Sequence, residues 1–177
     1  MSRLKKIYSN YSYPGGWGDK GTAHNYLPTY EKYMDRTDGV TVLEIGVMRG
    51  HSIAMWNEFF TNSRVVGLDI TLLNIEFELD NVFKCDATNA AAVDALLPGW
   101  TFDYVIDDGS HFVQDQLASI DVFLPRMNPG GQYFIEDIAG DEPLMLIERK
   151  LQGKDYTVVD GRGPSRPMDE IMVVVHC

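Results

Sequence analysis

The chain has 177 residues, a length that corresponds to one domain, and its 45% hydrophobic and 23% charged content excludes a disordered segment. Fifteen basic against 26 acidic residues give a formal net charge of −11. That balance argues against nucleic acid or an anionic membrane as partner and is compatible with a cationic ligand or a metal. Two cysteines, Cys85 and Cys177, are too few for a disulfide framework or a zinc site, so a reduced, cytoplasmic setting is expected. The opening MSRLKKIYSNYSY lacks an apolar signal core, and no apolar run reaches the roughly 18 residues of a membrane span.

Residues 1–23 are rich in Tyr, Gly and Ser and read as an extended arm, with loop chemistry at Pro14-Gly15-Gly16-Trp17-Gly18. A short helix is predicted over 25–36, carrying Tyr26, Leu27, Tyr30 and Tyr33, and Asp38-Gly39 turns the chain out of it. Residues 40–47 (VTVLEIGV) form an apolar run of strand length, consistent with burial on both faces. Ile53, Trp56, Phe59 and Phe60 share one stripe of a helix over 50–61. Strands follow at 65–70 and 82–85, then a helix over 90–97 ended by Pro98-Gly99. A fourth strand at 102–107 (FDYVID) precedes a helix over 111–126, a turn at 128–131 and a fifth strand at 132–138. A helix over 142–152 and strands at 156–159 and 171–176 complete the chain. Alternating strands and helices predict an α/β, Rossmann-like parallel sheet covered on both faces. The last two strands are separated by too few residues for a helical crossover, so they are predicted to pair as an antiparallel hairpin.

The turn Glu44-Ile45-Gly46-Val47-Met48-Arg49-Gly50 joins the first strand to its helix, and Gly46 and Gly50 allow a sharp bend and close approach to a ligand. It is not G-x-G-x-x-G, which disfavours a pyrophosphate site and with it an NAD-dependent dehydrogenase. Acids mark the strand ends. Asp69 is placed to take both hydroxyls of a ribose, Asp86, beside Ala87, to meet an adenine amino group, and Asp107 closes the fourth strand. All three fall on the carboxyl edge of the sheet, where open α/β folds bind ligands.

The series VLEIGVMRG, VVGLDI, KCDA, FDYVIDDGSH and GGQYFIEDI resembles the class I S-adenosylmethionine-dependent methyltransferases. More narrowly it resembles the metal-dependent macrocin and mycinamicin type of sugar O-methyltransferases, whose fold is likewise preceded by a stretch similar to DKGTAHNYLPTYEKY. The resemblance spans residues 19–175. It implies S-adenosyl-L-methionine as cofactor, with Glu44, Gly46 and Gly50 along its methionine part, Asp69 on the ribose, Asp86 and Ala87 beside adenine, and Asp107 near the amino group. It also implies a divalent metal, magnesium or manganese, on Asp108, Glu136 and Asp137, with His111 as general base. The acceptor implied is the hydroxyl of a small molecule, a sugar above all.

Residue chemistry supports a cation. If the fourth and fifth strands are neighbours, about 4.8 Å apart, three carboxylates crowd one edge. Two unit charges 4 Å apart repel by about 4 kcal/mol at an effective dielectric of 20. Successive strand residues face opposite ways, so Glu136 and Asp137 can both ligate only where the strand is ending. His111 is expected at a helix start, where the helix dipole would keep its ring neutral. Residues 1–177 then form one methyltransferase domain. Its arm, 1–23, and the 161–167 loop are expected to act as lid, with Lys20, Thr22 and His24 facing cofactor or acceptor. The arm is expected to be mobile without ligand and dispensable for folding. Such a thin lid makes a site shared in a homo-oligomer an expectation. The alternatives are a catechol-type enzyme, with Tyr8, Tyr11, Tyr13 and Trp17 as a stacking wall, and a non-catalytic cofactor-binding protein.

Overall fold

In the computed structural model, which describes residues 1–11, 20–22, 24–163 and 170–177, strands and helices alternate as predicted. The strands are β1 (Thr41–Ile45), β2 (Arg64–Asp69), β3 (Val82–Lys84), β4 (Phe102–Asp107), β5 (Met127–Ile138), β6 (Asp155–Asp160) and β7 (Ile171–His176). The helices are α1 (Arg3–Tyr11), α2 (Leu27–Tyr33), α3 (His51–Phe59), α4 (Ala90–Leu96), α5 (Val113–Phe123) and α6 (Asp141–Lys150). The strands form one sheet in the order β3-β2-β1-β4-β5-β7-β6. The first five in that order run parallel, and β7 is antiparallel to both β5 and β6. The terminal hairpin is present, and its second strand is the one that docks on β5.

Period-two alternation sorts the central strands into two cores. Val42, Tyr104, Ile106, Phe134 and Val174 face the layer of α1, α2 and α3, where Tyr30 and Trp56 meet edge to face at 5.2 Å. Leu43, Val105, Tyr133, Ile135 and Val173 face α4, α5 and α6, which contribute Val93, Ile120, Phe123 and Ile147. Each fully buried aliphatic side chain contributes about 1.5–3 kcal/mol.

Two expectations are corrected. Residues 3–11 of the supposed extended arm are helical. Leu4, Ile7 and Tyr8, spaced i, i+3, i+4, make an apolar stripe that is buried in the first core. The Arg3 guanidinium stacks over Phe59, and the Tyr11 hydroxyl donates to Glu58 at 2.9 Å, so α1 is fastened to α3. The surrounding Lys, Ser and Asn residues masked that stripe. The turn expected at 128–131 is instead an irregularity within β5, where one residue of β4, Asp103, stands opposite four of β5. Gly130, at φ 79°, allows it and donates to the Cys177 carbonyl at 2.6 Å. Tyr13, Trp17, Asp19 and the 164–167 part of the lid loop lie outside the described residues. Among those described, no helix is long and apolar enough to cross a membrane, and Cys85 and Cys177 are free thiols.

Candidate active site

β1 lies between β2 and β4, so the chain leaves it on one side and returns on the other. A crevice opens at the carboxyl ends of strands wherever the order reverses in this way. The turn beyond β1 floors it. Gly46, at φ 84°, is required sterically, since a Cβ there would collide with the Asp108 carbonyl and the Gly109 Cα. Asp69 at the end of β2 fixes the turn, accepting from the Val47 and Met48 amides at 2.8 Å each and from Thr71 N at 2.9 Å. The resulting cleft has a volume of about 400 Å³, with Gly46, Met48, Asp69, Asn74, Asp108 and His111 in its lining and Tyr8 and Tyr11 of α1 as a further wall. That volume lies within the range of small-molecule sites.

The acids sit at one end of this cleft. Asp108 follows β4, and Glu136 and Asp137 end the adjacent β5. Ile135 pairs with Val173 and Ile138 with Ile171, and both isoleucines are in the same core although they are three residues apart. One extra residue must therefore be absorbed between them. Asp137 is at φ 53°, and this bulge lets Glu136 and Asp137 both turn toward α2. There the Tyr26 hydroxyl donates to Asp137 Oδ1 at 2.5 Å and the Tyr30 hydroxyl donates to Glu136. Lys20 Nζ donates to Asp108 Oδ2 at 2.7 Å and to Glu136 Oε1 and Oε2 at 2.8 and 3.0 Å, and it stands 3.3 Å from Glu44 Oε1. His111 Nε2 is 3.2 Å from Asp108 Oδ1 and 3.5 Å from Asp137 Oδ2. One ligand atom from each of Asp108, His111 and Asp137 lies within 4.8 Å of the others. Behind Asp137, His24 Nδ1 is 3.1 Å from Glu170 Oε1 and stacks on Tyr26.

Burial sets the electrostatics. It pushes Glu44 up to about 7 against the pull of Lys20, and it raises Asp137, with the charge of Asp108 adding to it. Asp108 is held below its usual value, because Lys20 and His111 outweigh its own burial. The hydrogen bond to Asp108, with the charges of Asp108 and Asp137, raises the His111 pKa. This corrects the expectation of a ring kept neutral by a helix dipole. His111, at φ 59°, precedes α5, and two carboxylates at contact distance outweigh the partial charge of a helix end.

No family model matches the chain. Mycinamicin VI 2''-O-methyltransferase of Micromonospora griseorubida is 35% identical over 129 residues, 67% of this chain and 32% of that protein. Demethylmacrocin O-methyltransferase of Streptomyces fradiae is 32% identical over 146 residues, 76% of this chain and 36% of that protein. Among solved structures, the MycE methyltransferase of mycinamycin biosynthesis, in complex with Mg, SAH and mycinamycin VI, superposes with a TM-score of 0.70. It is 25% identical, over 99% of this chain and 53% of that one. This is a class I methyltransferase fold, and the chain resembles the macrocin and mycinamicin type of sugar O-methyltransferases. It spans about a third of the length of the curated relatives it matches.

Within the cleft the expected residues divide. Gly46, Asp69, Asp108, His111 and Lys20 line it. Gly50, at φ 89°, packs under Leu79, Phe77 and Ile75. The exposed Asp86 carboxylate accepts from Thr88 N and Oγ1, while Ala87 is buried in the core against α4 and α5. Asp107 faces away from the acid cluster, accepting from the Tyr133 hydroxyl at 3.2 Å. Glu44 is fully buried behind Lys20, and Thr22 accepts from the Tyr8 hydroxyl at 3.2 Å. Tyr26 and Tyr30 lie on the predicted 25–36 helix, with no part in the site expected of them. Their i, i+4 spacing carries a further signal, because a buried phenol needs a partner for its hydroxyl. His51, also in the cleft lining, bonds through Nδ1 to the Tyr11 carbonyl at 2.7 Å.

Proposed function

We propose that residues 1–177 act as one catalytic domain of an S-adenosylmethionine-dependent, divalent-metal-assisted O-methyltransferase that modifies a hydroxyl of a sugar carried on a small molecule. The observation that carries this reading is the placement of His111 Nε2 within 3.5 Å of two carboxylates at the end of a cleft floored by a strand-to-helix turn. The Gly46–Arg49 turn and Asp69 would bind the cofactor, since Asp69 uses three of its roughly four acceptor sites on backbone amides and keeps one for a ribose hydroxyl. Two carboxylate oxygens with an imidazole beside them fit a hard divalent ion such as magnesium or manganese, which Asp108 and Asp137 would hold. When bound, such an ion lowers the pKa of a hydroxyl it polarises and offsets the anionic field that keeps a proton on His111.

In the reaction the acceptor oxygen attacks the sulfonium methyl. The new O–C bond forms as the C–S bond breaks, the sulfur keeps the electron pair, and the hydroxyl proton passes to His111 Nδ1, the ring nitrogen left free when Nε2–H donates to Asp108. Asp108 orients that ring through Oδ1. Tyr8 and Tyr11 of α1 would cover the acceptor, the lid role given to the arm. Their presence also supports a planar catechol as second reading. The test is turnover on a panel of glycosylated acceptors and catechols, with and without EDTA. Sugar methylation that EDTA abolishes and magnesium restores is expected. Replacing His111 by Ala should retain S-adenosylhomocysteine and manganese binding and lose about 100-fold or more in kcat. EDTA-resistant turnover removes the metal from the mechanism, undiminished turnover in the His111 variant removes the base, and turnover confined to catechols selects the second reading.

A further inference from the structure

Three elements that wall the cleft meet on one imidazole. His51 opens α3, and its side chain is 11% exposed. It shares the cleft lining with Tyr8 and Tyr11 of α1 and with Thr71 and Asn74 of the segment between β2 and β3. Tyr11 is the last residue of α1, so its carbonyl accepts nothing within the helix. His51 Nδ1 fills that place at 2.7 Å. On the other side of the ring Nε2 stands 3.3 Å from Glu76 Oε2, and Phe77 meets the imidazole edge-on, with ring centroids 4.9 Å apart. Phe77 in turn lies 6.2 Å from the Tyr11 ring. Glu76 is itself tied to the turn beyond β1. Its amide donates to the Arg49 carbonyl at 3.0 Å, and its carboxylate pairs with the Arg49 guanidinium.

We propose that His51 is a positioning residue that clasps α1 to the segment between β2 and β3, so that the wall of Tyr8 and Tyr11 and the wall of Thr71 and Asn74 hold the cofactor as one unit. The proposal rests on the reading that this cleft takes S-adenosylmethionine, and it adds a residue to the Gly46 turn and Asp69. A carbonyl oxygen only accepts, so the Tyr11 contact requires a proton on His51 Nδ1, and that bond fixes the tautomer and the plane of the ring. The ring is then an edge-on platform for Phe77 and places Nε2 against Glu76. Walls fixed relative to each other before a ligand arrives lose less freedom when it binds, and this raises affinity without any new contact to the ligand.

S-adenosylhomocysteine is the probe, titrated into the intact chain by calorimetry. His51→Ala should weaken it about 3- to 10-fold. In His51→Asn the side-chain amide stands where Nδ1 stood and donates to the same carbonyl, so this variant should recover most of the loss; a role in packing alone would not predict that. Ring nitrogen-15 spectra of the unmodified protein give a second readout that needs no variant, and a proton on His51 Nδ1 is expected with and without S-adenosylhomocysteine. Unchanged affinity in His51→Ala, an Asn variant as weak as the Ala variant, or an Nδ1 without its proton overturns the clasp and leaves the cofactor reading standing. Absence of S-adenosylhomocysteine binding to the unmodified protein overturns both.

Discussion

One carboxylate, that of Asp69, joins two parts of the cleft. It holds the Val47 and Met48 amides of the turn beyond β1 and caps its own strand at Thr71. Charge-assisted hydrogen bonds contribute roughly 1.5–3 kcal/mol. Asp69→Ala should therefore weaken S-adenosylhomocysteine about 10- to 100-fold by calorimetry, and an unchanged affinity would take Asp69 out of the cofactor site. The variant should also melt lower, because the turn loses its anchor; ribose contact alone would not predict that. The acids and His111 were readable because each follows a strand in sequence, and strand ends share an edge. Lys20, Tyr26 and Tyr30 were not readable as their partners. They reach Asp108, Glu136 and Asp137 across 88 to 116 residues of chain, and only the folded topology brings them together. Asp86 also follows a strand, and its Oδ1 is engaged in an Asx turn with Thr88.

Among the elements, strands were legible wherever apolar runs were continuous: β4 and β7 match their predicted bounds, because both are buried along almost their whole length. α1 was not, since three apolar positions among Lys, Ser, Asn and Tyr read as an arm. The helix changes what truncation should do. Removing residues 1–11 uncovers the sites of Leu4, Ile7 and Tyr8 and should cost on the order of 5 kcal/mol, seen as a fall of more than about 10 °C in melting temperature. An unaltered melting curve would restore the dispensable arm. β4 carries a second test. Burial raises Asp107 to about 7 while its unfolded value stays near 3.8. Between those values the folded chain holds a proton that the unfolded chain has released, so this group's contribution to stability falls as pH rises from about 4 to about 7 and is level above. Asp107→Asn removes the titration. Relative to it, the unmodified protein should lose on the order of 2–4 kcal/mol across that window in denaturant titrations.

At the scale of the whole molecule, a net charge of −11 opposes compaction. Raising sodium chloride from 10 to 150 mM shortens the Debye length from about 30 to about 8 Å, and the melting temperature should rise. Magnesium chloride at matched ionic strength should raise it further, by about 2.7 kcal/mol of stability at a hundredfold excess over its dissociation constant. Equal curves in the two salts would speak against a specific ion site. The sheet order has a biosynthetic consequence. β6 emerges from the ribosome before β7, yet β7 lies between β5 and β6. Until residues 171–176 are made, β5 has one open edge and β6 has nothing to pair with. The nascent chain is thus an unfinished sheet with an adhesive border, the kind of border on which strands from other chains assemble. Synthesis that stalls between β6 and β7 should release a product that aggregates. β7 is the closing strand of the sheet: its addition fills the gap between β5 and β6 and brings His176 against Gln132 and Thr157.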